Sequence, residues 1–159
     1  MKSKKTNAMR MLDRNHIDYK VNNYPVTEAH MDGTRVAQLV GVSVDEVFKT
    51  LVLENAQHEH FVFIIPVNAT LNMKLAAKSV KEKKLHLMPL DDLKRVTGYV
   101  RGGCSPIGMK KLFPTVIDSQ SERLDAVYVS GGERGTQIQI KVTDLITQTK
   151  AQVTSIIES

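Results

Sequence analysis

Thr50-Leu51-Val52-Leu53-Glu54, Asn55-Ala56-Gln57-His58-Glu59 and His60-Phe61-Val62-Phe63-Ile64-Ile65-Pro66 follow one another without interruption. Two apolar runs rich in β-branched and aromatic residues flank five polar ones, which predicts strand, turn, strand. Upstream, Thr6 is a candidate N-cap for an amphipathic helix over residues 7–15, and residues 17–24 alternate as a strand does. Pro25 to Gly33 reads as a connection, Thr34 to Val40 as a short helix closed by Gly41, and Ser43-Val44-Asp45-Glu46 as a capping box.

Downstream, Asn72 can cap a basic helix over 73–80, and Pro89 can open another over 90–96 that stops at Gly98. Strands are expected at 115–118, 126–129 and 136–141, the last two joined as a hairpin through Ser130-Gly131-Gly132-Glu133-Arg134-Gly135. A helical turn at 144–147 closes the pattern. Short helices among hairpin-connected strands indicate a mixed α/β (α+β) domain, not a regular doubly wound one. With 159 residues, 42% of them hydrophobic, one domain over 1–159 is expected.

Composition narrows the function classes. The longest apolar run, 61–67, is far too short to span a membrane, and no apolar segment follows the basic Met1-Lys2-Ser3-Lys4-Lys5, so a cytoplasmic protein is expected. A single cysteine excludes an internal disulfide framework, and no Cys or His pair has metal-ligand spacing, so neither metal nor cofactor is implied. Lys and Arg number 22 against 17 Asp and Glu, a net charge of +5. Lys74, Lys78, Lys81, Lys83, Lys84, Lys94 and Arg95 crowd one third of the chain. That arrangement suits an anionic partner or a solvated helical face.

Gly102-Gly103-Cys104-Ser105-Pro106-Ile107-Gly108 is the strongest candidate site. Adjacent glycines admit close approach of a ligand to the main chain, and Pro106 fixes a corner and holds Ser105 out of the helical region. The N–H groups of residues 103 to 105 could converge on one oxyanion, although a tight structural turn uses the same residue types. Lys49 stands at the mouth of an apolar strand. There it offers a buried positive charge or a proton acceptor, or merely snorkels to water. Cys104 lacks a histidine base in a recognisable motif, and Ser105 lacks a nucleophile elbow, so both read as loop residues contributing through the main chain or the pocket wall. Gly131-Gly132-Glu133-Arg134-Gly135 reads as a bulged turn, with a loose likeness to a phosphate cradle.

The order and spacing of Phe48-Lys49-Thr50-Leu51-Val52, Ala76-Ala77-Lys78-Ser79, Thr97-Gly98-Tyr99, Gly102 to Gly108 and Tyr128-Val129-Ser130-Gly131-Gly132 resemble the YbaK/EbsC family of Cys-tRNA(Pro) deacylases over nearly the whole chain. The resemblance implies a barrel-like, largely antiparallel sheet flanked by short helices, related to the editing domain of prolyl-tRNA synthetase. It also implies an aminoacyl-tRNA deacylase of the ester hydrolase or lyase type, which removes cysteine from mischarged tRNA(Pro) in trans. Carried over, the family's lysine falls on Lys49 and its Gly-x-Ser-Pro loop on Gly103, Cys104, Ser105 and Pro106. Its tyrosine after the first strand falls on Tyr24 and its acid after the last strand on Asp144, and Gly102, Gly131 and Gly132 complete the expected substrate-binding set.

In this family the cysteine thiol of the substrate can attack its own carbonyl, so the enzyme needs no nucleophile. A monomer acting in transient complex with prolyl-tRNA synthetase is implied. The alternatives are an Ala- or Ser-specific deacylase of the same fold, a non-catalytic tRNA- or synthetase-binding module, and a hydrolase that uses Cys104.

Overall fold

The run from Phe61 to Pro66 is buried along its whole length, so the strand that carries it must be covered on both faces. In the computed structural model, which describes residues 5–26 and 32–159, that strand is β3 (His60–Pro66). It pairs antiparallel with β2 (Phe48–Glu54) through the predicted turn. Val62 and Ile64 point into one core, and Phe61, Phe63 and Ile65 into a second. The second core is closed by α3 (Met73–Ser79) through Ala76 and Ala77, with Asn72 capping it by accepting from the Leu75 N–H at 3.0 Å.

The larger core lies between two sheets. The three-stranded sheet contains β1 (Tyr19–Asn23), β6 (Ala126–Ser130) and β7 (Thr136–Lys141), in the antiparallel order β1-β7-β6. The five-stranded sheet adds β4 (His86–Leu87), β5 (Thr115–Asp118) and β8 (Gln152–Thr154), in the order β4-β2-β3-β5-β8. Helix α1 (Asn7–Arg14) packs Ala8, Met9 and Leu12 into this core, capped by Thr6, and α5 (Val142–Thr149) adds Val142 and Leu145.

A mixed α/β arrangement therefore forms as expected, with refinements. The two sheets touch at a parallel bridge between Val47 and Tyr128 and do not close, so the barrel is open. β3, β5 and β8 run parallel, because the chain returns to each through long connections that carry helices.

The capping box at Ser43 and Glu46 forms over a 3₁₀ turn at Val44–Glu46, and Gly41 ends α2 (Gly33–Val40) in the left-handed region. The helix expected over 90–96 divides into a 3₁₀ turn at Leu90–Asp92 and α4 (Leu93–Thr97), and the closing turn extends to the whole of α5. The expected connection from Pro25 to Gly33 falls partly on residues 27–31, outside the described residues, as do residues 1–4 of the basic start. Among the described residues no helix is long and apolar enough to cross a membrane.

Candidate active site

The cavity begins as a gap at the edge of β2. On one side β2 pairs with β3 along its full length; on the other, β4 covers only Leu53 and Glu54, while Val47 meets β6 through its bridge to Tyr128. Among the described residues no strand pairs the edge from Lys49 to Leu51, and a cavity of about 520 Å³ adjoins it. The ladder fixes what the strand offers there. Val47 O accepts from Val67 N–H and Val52 O accepts from Met88 N–H, so the alternation turns the N–H and C=O of Thr50 away from β3 and toward the open edge. One edge amide therefore faces the cavity beside Lys49.

Lys49 is half-buried and lines this space, and among the described residues it forms no ion pair. Burial lowers its pKa below the ordinary lysine value. Gly102 and Cys104 line the same cavity from the opposite segment, so the glycine loop and the lysine share one site. Gly102 has φ +82, which suits a residue without a Cβ. The Gly103 N–H donates to Val100 O at 2.9 Å and is spent inside the turn. That bond removes it from the expected oxyanion trio. The amides of Cys104 and Ser105 keep no protein partner among the described residues. Ser105 is fully buried and its hydroxyl accepts the Ile107 N–H at 3.3 Å, a structural use. The Cys104 thiol is pushed up to about 12 by burial, against a weaker opposing contribution from Thr97, and among the described residues no histidine lines the cavity.

Other predicted residues support the loop from behind. A Cβ on Gly103 would lie 2.8 Å from Glu133 Cα, so the loop rests directly on the hairpin turn after Gly131 and Gly132. The Gly131 carbonyl accepts from the Thr6 hydroxyl, and a Cβ on Gly132 would meet Thr6 and Tyr99. Pro106 is buried and lines a separate groove with Gly108 and Met109. Asp144 stands on the first turn of α5 and does not line the cavity. Tyr24 does line it, buried, its N–H donating to Gly135 O at 2.9 Å.

The wall also contains residues that the sequence reading did not single out: Gln137 and Ser130 on β7 and β6, Asp32 and Thr34 at the start of α2, and Arg101 beside the glycine loop. Gln137 is the most informative of them. It is only 7% exposed, and its Oε1 has no hydrogen-bond partner. A buried carbonyl oxygen left bare in a ligand-sized cavity is an acceptor awaiting a donor. The signal was weak in the sequence, where Gln137 and Gln139 simply fill the alternate phase to Ile138 and Ile140. Among the described residues no cluster of three or more His, Cys, Asp or Glu is placed to hold a metal ion.

Residues 27–147 match the aminoacyl-tRNA editing domain. The chain belongs to that family. It is 40% identical over 152 residues to an Enterococcus faecalis relative named as a Cys-tRNA(Pro)/Cys-tRNA(Cys) deacylase, EbsC, covering 96% of this chain and 93% of the relative. Two solved structures share its fold. A trans-editing enzyme described for prolyl tRNA synthetase superimposes with a TM-score of 0.84 at 23% identity, over 99% of this chain and 100% of the other. The hypothetical protein APE2540 does so at 0.85 and 21%, over 96% and 99%.

Within this editing domain the described residues line the cavity with the half-buried Lys49, the exposed Arg101, the edge amide of Thr50 and the bare amide oxygen of Gln137, and they supply no paired nucleophile and base.

Proposed function

We propose that this editing domain removes cysteine from Cys-tRNA(Pro) in trans, by posing the aminoacyl ester for attack by its own thiol. The observation that carries this reading is the shared cavity of Lys49, Thr50, Gly102 and Cys104, with the only thiol in it held protonated. The name of the Enterococcus faecalis relative supports the choice of substrate.

The reaction asks little of the protein chemically. The substrate sulfur gives up its proton and bonds to the carbonyl carbon, the bond from that carbon to the ribose oxygen breaks, and the oxygen leaves with a proton. A cysteine thiolactone and free RNA result. Holding sulfur and carbonyl in attacking geometry can supply part of the roughly 7–11 kcal/mol that orientation is worth. Edge amides at Thr50 and Cys104 stabilise the oxyanion, each donor contributing about 3 kcal/mol. Lys49 complements charge growing on the ribose oxygen. Gln137 Oε1 accepts from the substrate's α-ammonium. Prolyl-tRNA synthetase supplies RNA selectivity in a transient complex, and the protein acts as a monomer in the cytoplasm.

The deciding experiment is deacylation by the purified protein of one tRNA(Pro) charged in turn with Cys, Ala or Ser, with and without prolyl-tRNA synthetase, followed by analysis for the sulfur-cyclised product. Rapid release of cysteine as thiolactone, with Ala and Ser slow, is expected. Equal release of all three, or free cysteine formed by attack of solvent water without the cyclic species, overturns the self-attack mechanism and favours a water-dependent deacylase. No release at all leaves a binding module.

A further inference from the structure

The glycine loop is tied, at its far end, to the residue that leads into it. Tyr99 is buried, and its hydroxyl donates to Ile107 O at 2.6 Å, eight residues further along the chain. One side chain thus reaches across the whole of Gly102 to Pro106 and closes that segment into a ring. Burial raises the pKa of this phenol well above its ordinary value, so it stays a donor. The Ile107 N–H is spent as well, on the Ser105 hydroxyl at 3.3 Å, which leaves Ile107 held by both of its main-chain groups.

The tyrosine is itself anchored. Its N–H donates to the Thr97 hydroxyl at 3.0 Å, and that hydroxyl donates to Leu93 O at 2.8 Å at the start of α4. Thr97 O accepts from Lys110 N–H at 3.1 Å, so the chain returns to the same anchor once the loop is complete. The ring also lies against the hairpin turn, where a Cβ on Gly132 would stand 3.1 Å from Tyr99 Cε1. Tyr99 does not line the cavity, but Gly102 and Cys104, inside the ring it closes, do. Groups that stabilise developing charge act only when their positions are fixed in advance.

We propose that Tyr99 is a positioning residue for deacylation: its hydroxyl ties the far end of the glycine loop back to the Thr97 anchor and so fixes Gly102 and Cys104 in the cavity wall, an assignment that rests on the deacylase reading above. Tyr99 touches neither substrate nor reacting atoms. Substrate affinity is therefore independent of the tie, whereas turnover, which needs the loop aligned in the transition state, depends on it.

Tyr99→Phe removes the hydroxyl and keeps the ring against Gly132. Its kcat for Cys-tRNA(Pro) should fall about tenfold with KM within about twofold of wild type, since a displacement of about 1 Å can cost about 10²-fold. Thr149→Val is the matched control. Its hydroxyl is also buried and donates to Leu145 O at 2.8 Å, on a helix no residue of which lines the cavity, so its loss should lower Tm by a similar amount and leave kcat alone. Both variants are assayed well below their Tm. The proposal is overturned if Tyr99→Phe keeps its kcat, if KM rises in place of the fall in kcat, or if Thr149→Val loses as much turnover. Should Tyr99→Phe fail to fold, Thr97→Val, which releases the Tyr99 N–H from its anchor, must lower kcat at constant KM, and an unchanged kcat refutes the tie. Should the wild type fail to release cysteine, the deacylase reading falls by itself. Hydrogen exchange at the Gly103 and Ile107 amides, both bonded within the loop, then judges the tie. Exchange that quickens in Tyr99→Phe by more than the drop in global stability accounts for sustains it, and exchange that only follows the global drop refutes it.

Discussion

Gly103→Ala isolates the contact that aims the glycine loop into the cavity. A Cβ at this position would lie 2.8 Å from Glu133 Cα, 2.9 Å from Glu133 C and 3.0 Å from Arg134 N. All three atoms are main chain in the turn of a paired hairpin, so no flexible side chain can yield. Restoring ordinary contact near 3.4 Å requires the loop to retreat by about 0.6 Å. Overpacking of this kind costs about 1–3 kcal/mol. For a chain of this length a central value of about 2 kcal/mol lowers Tm by roughly 4–8 °C. Activity should suffer more than stability does. A misplacement of about 1 Å can cost 10²-fold, so a shift near 0.6 Å should cost kcat/KM about tenfold. Gly41→Ala is the matched control: it has φ +84 with no atom within 4 Å of the added Cβ, so it incurs only left-handed strain of about 1–2 kcal/mol, at the C-terminal end of α2 and without contact to the loop. Thermal unfolding and steady-state deacylation of Cys-tRNA(Pro) read both variants. The two should lose similar stability while only Gly103→Ala loses turnover. If Gly103→Ala keeps kcat/KM within about twofold while Tm falls, the loop does not position catalytic amides and the reasoning fails.

Lys49→Ala should lower kcat/KM by about 10²-fold or more. Because burial depresses the Lys49 pKa, the rate, corrected for spontaneous hydrolysis, should fall as pH rises through that lowered value, and Lys49→Arg should hold it to higher pH; a rate that climbs instead would make Lys49 a proton acceptor. The stability sign is opposite: the folded state binds this proton less tightly than the unfolded one, so Lys49→Met should raise Tm below the depressed pKa, with the gain fading above it. Cys104→Ala should stay within about threefold of wild-type kcat/KM, whereas a loss of 10³-fold with Tm intact would identify Cys104 as the nucleophile. Gln137→Leu should gain about 1–2 kcal/mol in denaturant unfolding by removing a bare buried acceptor, while the KM for Cys-tRNA(Pro) rises; unchanged KM would deny Gln137 a substrate contact. Burial would raise Glu54, but hydrogen bonds from His86 and His58 leave it below its usual 4.5, so its contribution is present above that value and disappears as pH falls through the lowered one; Glu54→Gln should flatten the acid limb of a Tm–pH profile.

The elements that could be read from sequence are those whose signal is local. Thr6, Asn72, Ser43 with Glu46, and Gly41 each act on their own turn, and each caps where expected. β4 and β8 could not be found that way. His86-Leu87 is two residues long and is held at the edge of β2 by pairing to Leu53 and Glu54, together with the contact from His86 Nε2 to Glu54 Oε1 at 3.1 Å. Gln152-Val153-Thr154 has no apolar alternation and becomes a strand only because β5 presents a free parallel edge. Both depend on partners remote in sequence, and propensity carries no record of them. α5 was only partly legible, although Val142, Leu145 and Thr149 are buried at helical spacing. Lys141 supplies no side-chain cap to mark its start.

The site divides along the same line. Lys49 and Gly102 stand out as residue types in unusual company, a cation entering an apolar strand and paired glycines before a proline. The cavity that unites them arises where β4 stops short of Thr50, a fact of topology. A longer β4 would pair the edge of β2 and bury the Thr50 amide in a ladder; its brevity leaves that amide and Lys49 facing open space. Gln137 shows the reverse case, a polar side chain that looks unremarkable in an alternating strand and becomes informative only when the fold buries its oxygen without a donor. The two features have one physical basis. Hydrogen-bonding capacity that the protein leaves unused inside a cavity costs stability on its own. A ligand carrying one carbonyl oxygen to accept from the edge amides and one ammonium to donate to Gln137 would satisfy both, and an aminoacyl ester carries that pair of groups on adjacent carbons.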